Sequence, residues 1–137
     1  MLYHFLQEDT FRTWMRNYFK QYQFNNTVTG DLLGVLKSIS SDKSIDEKVK
    51  TWTHSAGYPV VTLEQVTGNK YQFKQSRFFL NKQDKSASSW WIPISYIDST
   101  GKKESLAFSG AKSDEFTINT EWVKANNDQI GIFRVNY

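Results

Sequence analysis

Two histidines are the only imidazoles this 137-residue chain could bring to a reaction. His4 is followed by Phe5-Leu6-Gln7-Glu8 and His54 by Ser55-Ala56-Gly57-Tyr58. A zinc hydrolase site on a helix needs His-Glu-x-x-His, because that spacing puts both imidazoles on one helix face. Neither histidine has a partner within a turn. His54 stands beside a helix end, where an imidazole most simply interacts with terminal carbonyls. Cysteine is absent, which excludes disulfides, thiol catalysis and thiolate metal sites. Glu8 and Asp9 fall at a helix start and read as dipole partners, not as an acid/base pair. No Gly-x-Ser-x-Gly elbow or phosphate-binding loop is present. The sequence therefore offers no catalytic residue and no metal ligand.

The remaining candidates are binding groups. Trp90-Trp91 could form a sugar platform, but strand alternation points successive rings to opposite faces, leaving at most one in the core and the other exposed or at a domain contact. Arg77 and Arg134 interrupt otherwise alternating strands, as paired or snorkelling side chains or as partners in an inter-domain salt bridge. Asn25-Asn26-Thr27 is an N-glycosylation sequon with Asn25 as acceptor, relevant only in an exported protein.

Two different stretches must position these groups, and they meet near Gly57. Before it the apolar period is helical. Phe11, Trp14, Met15, Tyr18, Phe19 and Tyr22 share one broad face. A second helix starts after Thr29 with Leu32, Leu33, Leu36 and Ile39 inward. A third starts at the capping box Ser44-Ile45-Asp46-Glu47, with Ile45, Val49 and Trp52 on one stripe and Gly57 able to cap it in a left-handed conformation. After Gly57 the period falls to two. Strands are predicted at Val60–Val66, at Tyr71, Phe73 and Gln75, at Trp90–Ile97, around Ser105–Phe108 and Phe116–Ile118, and at Trp122–Ala125 and Ile130–Tyr137, with an exposed polar loop over Asn81–Ser89. About seven strands with frequent turns and no intervening helices predict an antiparallel sandwich. The fold class is thus α+β: short N-terminal helices over 1–56, then a small β-sandwich over 57–137.

Composition narrows the partners. Aromatics make up 16% of the chain, a payload that argues for a folded core over disorder. The 17 basic and 14 acidic side chains are interspersed with no dense basic run, which argues against a nucleic-acid surface. No apolar run approaches the ~20 residues of a membrane span, and Met1-Leu2-Tyr3-His4-Phe5-Leu6, followed by Gln7-Glu8-Asp9, does not read as a signal peptide. The final stretch, Gly131 to Tyr137, reads as a strand without a capping tail and suggests a chain taken from a larger one. The aromatic helical faces need a partner layer: either they dock on the sandwich or they are the last helices of a domain whose remainder is missing, and the second reading is favoured.

Several segments resemble the zinc metalloaminopeptidases of the aminopeptidase N family. They are Trp52-Thr53-His54-Ser55-Ala56-Gly57-Tyr58-Pro59-Val60-Val61, Lys74-Gln75-Ser76-Arg77-Phe78, Trp91-Ile92-Pro93-Ile94, Trp122-Val123-Lys124-Ala125-Asn126 and Gly131 to Tyr137. Phe11 to Tyr22 and Asp31-Leu32-Leu33 resemble the last helices of the family's catalytic domain. The segments run in the family's order over nearly the whole chain. Ile132 departs from the family's second aromatic, and His54 stands where relatives commonly carry Gln. The resemblance marks Trp52, Gly57, Pro59, Gln75, Arg77, Trp91, Pro93, Trp122, Asn126, Arg134, Asn136 and Tyr137 as structural motif positions.

The resemblance implies a parent built as an N-terminal β domain, a thermolysin-like catalytic domain, a β-sandwich and a C-terminal helical domain. Residues 1–56 would end the catalytic domain and 57–137 would be the sandwich. It further implies a zinc-dependent exopeptidase that removes N-terminal residues from peptides. The family's His-Glu-x-x-His and the amine-binding Gly-x-Met-Glu-Asn are both absent here, so this chain alone is expected to hold no zinc and to cleave nothing. Its partners would be the catalytic and C-terminal helical domains, with peptide substrate met only through the parent and no membrane contact of its own. The compartment stays open between the cell exterior, a membrane anchor, the secretory pathway and the cytoplasm. The alternative reading is a stand-alone β-sandwich module that recognises a protein or a glycan, the aromatic helical face being its partner surface. A truncated product competing for the parent's domain contacts is a third.

Overall fold

The computed structural model describes residues 1–80 and 88–137. Most of the predicted polar loop, Asn81–Ala87, lies outside the described residues. The chain divides into two compact units, 1–50 and 51–137, and the division falls inside a helix.

The first unit holds α1 (Leu2–Leu6), α2 (Glu8–Tyr22), α3 (Thr29–Ile39) and most of α4 (Ile45–Thr53). The short α1 was not expected; Gln7, at φ 63°, separates it from α2. The broad apolar face predicted for α2 is only partly covered: Phe11, Met15, Tyr18 and Tyr22 are half-buried. Trp14 alone is buried, and its indole N–H donates to the Leu32 carbonyl at 2.8 Å, tying α2 to α3. Phe19 stays 65% exposed. Helix α3 buries Leu33, Val35 and Leu36, while Asp31 accepts from the Val28 N–H at 3.0 Å and satisfies one free donor of the first turn.

The predicted capping box at α4 forms differently. The Ser44 hydroxyl donates to Asp42 at 2.7 Å rather than accepting from Glu47, and Glu47 pairs with Lys50 at 2.6 Å. Asp42 gathers the local donors: the Ser44 N–H and hydroxyl, and the Lys48 ammonium. A carboxylate two residues ahead of Ser44 out-competes the distant Glu47 because it is charged and already in reach.

In the second unit period-two alternation builds two sheets. One has the order β5-β2-β1-β7 and the other β4-β3-β6. The strands are β1 (Pro59–Thr67), β2 (Lys70–Arg77), β3 (Ile92–Asp98), β4 (Lys103–Phe108), β5 (Ser113–Thr117), β6 (Val123–Ala125) and β7 (Arg134–Asn136). Val61, Leu63, Tyr71 and Phe73 of the first sheet meet Ile92, Ile94, Tyr96, Phe108 and Val123 of the second in one continuous core, the layer expected where two sheets bury their inner faces together. All strand pairs are antiparallel except β1 with β7, which run parallel with Val60 opposite Arg134 and Thr62 opposite Asn136.

Two strand expectations are corrected. The last strand covers only Arg134–Asn136, because 127–129 form a 3₁₀ turn and Asn126, Asp128 and Gln129 adopt positive φ. The third strand begins at Ile92, not Trp90. Trp90 and Trp91 are also both buried, at 0% and 1% exposure, but only Trp90 joins the core between the sheets, so the two rings do part as alternation expects and neither is left exposed. They lead into β3, the middle strand of its sheet, which is covered on both faces at its start, where Ile92, Pro93 and Ile94 are all buried. Alternation sorts side chains between faces but does not leave one of them wet.

Candidate functional site

The motif positions converge mainly on one end of the sandwich, where β1 begins and β2 finishes. Trp52, in the last turn of α4, donates its indole N–H to the Trp91 carbonyl at 2.6 Å, and Thr51 accepts from the Trp91 N–H at 3.2 Å. Both backbone groups of Trp91 are thus held by two consecutive helix residues. Gln75 does the same for Trp90 from the other direction. Its amide oxygen accepts from the Trp90 N–H at 2.8 Å, and its amide nitrogen donates to the carbonyls of Trp90 at 2.9 Å and Ala111 at 2.7 Å. An inward glutamine on β2 replaces the ladder partner that the irregular segment before β3 lacks, so that its buried backbone groups stay paired. The Trp90 indole N–H has no hydrogen-bond partner among the described residues, a cost of ~1–3 kcal/mol that its ring burial must exceed.

Gly57 and Arg77 are adjacent for a steric reason. Gly57 sits at φ +90°, and a Cβ there would lie 2.7 Å from the Arg77 Nε, so both conformation and space favour glycine. Arg77 lies over the Phe79 ring at 4.9 Å. Arg134, at the start of β7, lies 4.4 Å from the centroid of Phe78, which stacks on Tyr58 at 5.0 Å. These are cation–π contacts on a solvated end of the sandwich. Pro59, at the head of β1, is fully buried. Pro93 is also buried and pairs with Ala107; β6 joins β3 only from Tyr96 onward, so on that side the proline breaks no ladder.

Asn126, Asn136, Tyr137 and Trp122 lie elsewhere. Asn126 closes the turn before β7: its amide nitrogen donates to the carbonyls of Gly131 and Phe133 at 3.1 and 3.0 Å, and its oxygen accepts from the Gly131 N–H at 2.7 Å. Gly131 is obligatory there, since a Cβ would fall 2.0 Å from the Phe133 ring. Asn136 is exposed on β7 opposite Thr62. The Tyr137 hydroxyl accepts from the Ala125 N–H at 3.1 Å. Trp122, 50% exposed, lines two adjoining concavities that also share Gln65 and Glu121. One, of about 640 Å³, is polar and lined by Gln65, Asn69, Ser99, Asn119, Thr120 and Glu121. The other, of about 400 Å³, is lined by Leu63, Tyr71, Val123 and Tyr137, with Glu64, Gln65 and Glu121 at its rim.

None of these groups forms a reaction centre. Among the described residues no three His, Asp or Glu side chains are placed to hold a metal ion. His54 is exposed and shares a 2.9 Å hydrogen bond with the Thr53 hydroxyl, not with terminal carbonyls. Glu8 pairs with Arg12 at 2.7 Å. The perturbed titrations are structural. Burial, with the Glu104 hydrogen bond behind it, pushes the Tyr96 hydroxyl up to about 12. The Thr100 hydroxyl and the backbone N–H groups of Thr100 and Lys102 hold Asp98 below its usual range in the β3–β4 turn. Asn25 is exposed between α2 and α3, with the sequon's Thr27 hydrogen-bonded to the Tyr18 hydroxyl at 2.6 Å. No helix among the described residues is long and apolar enough to cross a membrane.

No family model matches the chain. Individual proteins do. A puromycin-sensitive aminopeptidase from Caenorhabditis elegans is 33% identical over all of this chain and 15% of its own length. Aminopeptidase Ey from Gallus gallus is 31% identical, again over the whole chain and 15% of the relative. Tricorn protease-interacting factor F2 from Thermoplasma acidophilum is 28% identical over 94% of this chain. Similarity over the whole chain to named aminopeptidases supports a fragment of an aminopeptidase N-like enzyme. The chain spans about 15% of the length of the curated relatives it matches. Sequence reasoning missed Thr51, whose hydroxyl accepts from the Trp91 N–H forty positions away, and the exposure of Trp122. Neither leaves a local signal.

Proposed function

We propose that this chain is a non-catalytic segment of a zinc-dependent aminopeptidase that removes N-terminal residues from peptides. Residues 1–56 are the last helices of the catalytic domain. Residues 57–137 are the sandwich that joins that domain to a C-terminal helical domain, and Trp52, Gly57, Gln75, Arg77, Trp91 and Arg134 fix the frame of that joint. The chain alone is inactive. The observation that carries this reading is the alignment of the whole chain with only 15% of each aminopeptidase relative, together with a donor set that does not fit zinc. His4 and His54 belong to separate elements, and neither stands in the spacing a metal helix requires. Zinc, and the activation of water by it, therefore belong to residues outside this sequence. In an exported parent, Asn25 is a glycan acceptor.

Two measurements test this. An antiserum raised against the chain, applied to source tissue, is expected to reveal a band several times larger than 16.0 kDa that co-purifies with zinc-dependent aminopeptidase activity. A sole band near that mass overturns the parent reading and puts the stand-alone module first. Separately, the purified chain incubated with zinc and an aminoacyl-arylamide should release no arylamine and retain no stoichiometric zinc after gel filtration; retention at one ion per chain refutes the assignment.

A further inference from the structure

Three loops meet at one end of the sandwich and are tied to one another. They are the turn between β1 and β2, the turn between β3 and β4, and the loop from β5 to β6. The Ile118 N–H donates to the Asn69 carbonyl at 2.8 Å, and the Tyr71 hydroxyl donates to the Thr120 carbonyl at 3.2 Å. The Thr120 hydroxyl accepts from the Ser99 N–H at 3.0 Å and from the Ser99 hydroxyl at 2.7 Å, and it donates to the Trp122 carbonyl at 3.1 Å. The polar concavity of about 640 Å³ lies between these loops. Its lining comes from Gln65, Gly68, Asn69, Ser99 and 119–122, and neither β7 nor Tyr137 takes part.

A concavity braced by its own loops holds its polar groups in place before a ligand arrives, which lowers the cost of binding. Gln65, Asn69 and Asn119 supply amides that both donate and accept, and Glu121 supplies a carboxylate that only accepts. Among the described residues that carboxylate has no ion pair. The half-exposed Trp122 adds one flat apolar surface. No Lys, Arg or His lines the site, so a phosphate or other anion finds no counter-charge there. A single carboxylate is too few for a metal ion, and polar walls do not suit a lipid. The lining matches a neutral ligand that carries several hydroxyls and one apolar face. The geometry points to a saccharide site: a β-linked pyranoside with equatorial hydroxyls, of the glucose or N-acetylglucosamine type, stacks the C–H face of one ring on Trp122 and exchanges hydrogen bonds with Glu121, Asn69 and Asn119. Equatorial substitution leaves the ring faces as bare C–H for the indole, and it sets neighbouring hydroxyls where one carboxylate accepts from both. The sugar platform considered at Trp90-Trp91 is ruled out by burial, whereas Trp122 is in reach of solvent. This inference does not rest on the aminopeptidase reading.

The test titrates the isotope-labelled whole chain with cellotriose and, separately, with triacetylchitotriose, using glycerol and choline as controls. At least one saccharide should give saturable NMR shifts at the Trp122 indole N–H and at the side-chain amides of Asn69 and Asn119, and glycerol should give none. Trp122→Ala should weaken binding about tenfold and Glu121→Gln about fivefold. Glu64→Gln, which alters only the adjoining apolar hollow, should leave binding unchanged. The contrast between the two glutamate variants keeps the test valid if Trp122→Ala folds poorly. Saturation by neither saccharide overturns the proposal, as do equal shifts with glycerol or shifts centred on Glu64 and Tyr137. Saturation by choline but by neither saccharide also overturns it, and assigns the concavity to a cationic amine.

Discussion

The helical unit and the sandwich treat their aromatic residues in opposite ways. In the sandwich Phe73, Trp90 and Phe108 are fully buried in a core assembled from both sheets. In the helical unit Phe19 and Phe24 stay in solvent, Phe24 at 101% exposure and at φ 64°. Both regions have apolar periodicity in the sequence. The difference is that a sheet pair supplies each apolar face with a facing layer, whereas short helices present stripes that need a layer from elsewhere. Periodicity thus reports which side of an element is apolar, and only packing reports whether that side is covered.

The largest expected effect breaks the comparison most directly. Phe73→Ala should cost about 3–5 kcal/mol in urea unfolding, through lost transfer energy and a cavity. Phe19→Ala should change stability by less than ~0.5 kcal/mol, as exposed substitutions do. Equal losses at the two sites would collapse the distinction. Next comes Gln75→Leu. It keeps bulk but strands the N–H and carbonyl of Trp90 and the carbonyl of Ala111, and should cost about 3 kcal/mol, because each buried unpaired group costs ~1–3 kcal/mol; a neutral result would mean water takes the amide's place. Gly131→Ala, which drives a methyl into the Phe133 ring, should cost about 1–3 kcal/mol in the same assay. On the helical side, Trp14→Phe removes the hydrogen bond to Leu32 together with part of a buried ring and should cost about 1–2 kcal/mol.

The smallest effects are pH-dependent, and they separate the regions by the direction in which each loses stability. In the helical unit, hydrogen bonds from Lys48 and Ser44 lower the Asp42 carboxyl from 3.8 to about 2. A lowered carboxyl stabilises the fold above its unfolded value and loses that contribution as pH falls from about 4 to about 2. In the sandwich, burial and Glu104 raise Tyr96 from 10.0 to about 12. A raised phenol stabilises the fold fully below pH 10 and loses that contribution as pH rises from about 10 to about 12. Asp42→Asn should flatten the acid limb and leave the alkaline one intact, and Tyr96→Phe should do the reverse. Unfolding midpoints across pH check both.

Legibility followed the range of the interaction. The α3 start after Thr29 and the alternating set Tyr71, Phe73 and Gln75 were readable because each depends on neighbours a few residues away. The capping of α4 was misread although it is local, because Asp42 competes with Glu47 for Ser44 and a short motif does not weigh competitors. The end of the chain was misread as a longer strand, because the side-chain amide of Asn126 turns Gly131 and Phe133 away from extended pairing.

Composition and periodicity alone establish a cysteine-free α+β chain, helices first and strands after, with no metal spacing and no nucleophile motif. Those properties are set by residue identity and by the 3.6- and 2-residue periods, which need no distant contact. Three-dimensional packing decided the rest: that both Trp90 and Trp91 are buried, that Gln75 and Thr51 hold their backbone, and that β7 runs parallel to β1. Each of these joins residues far apart in the chain. Which distant groups meet is a property of the whole folded layer, and no window of sequence contains it.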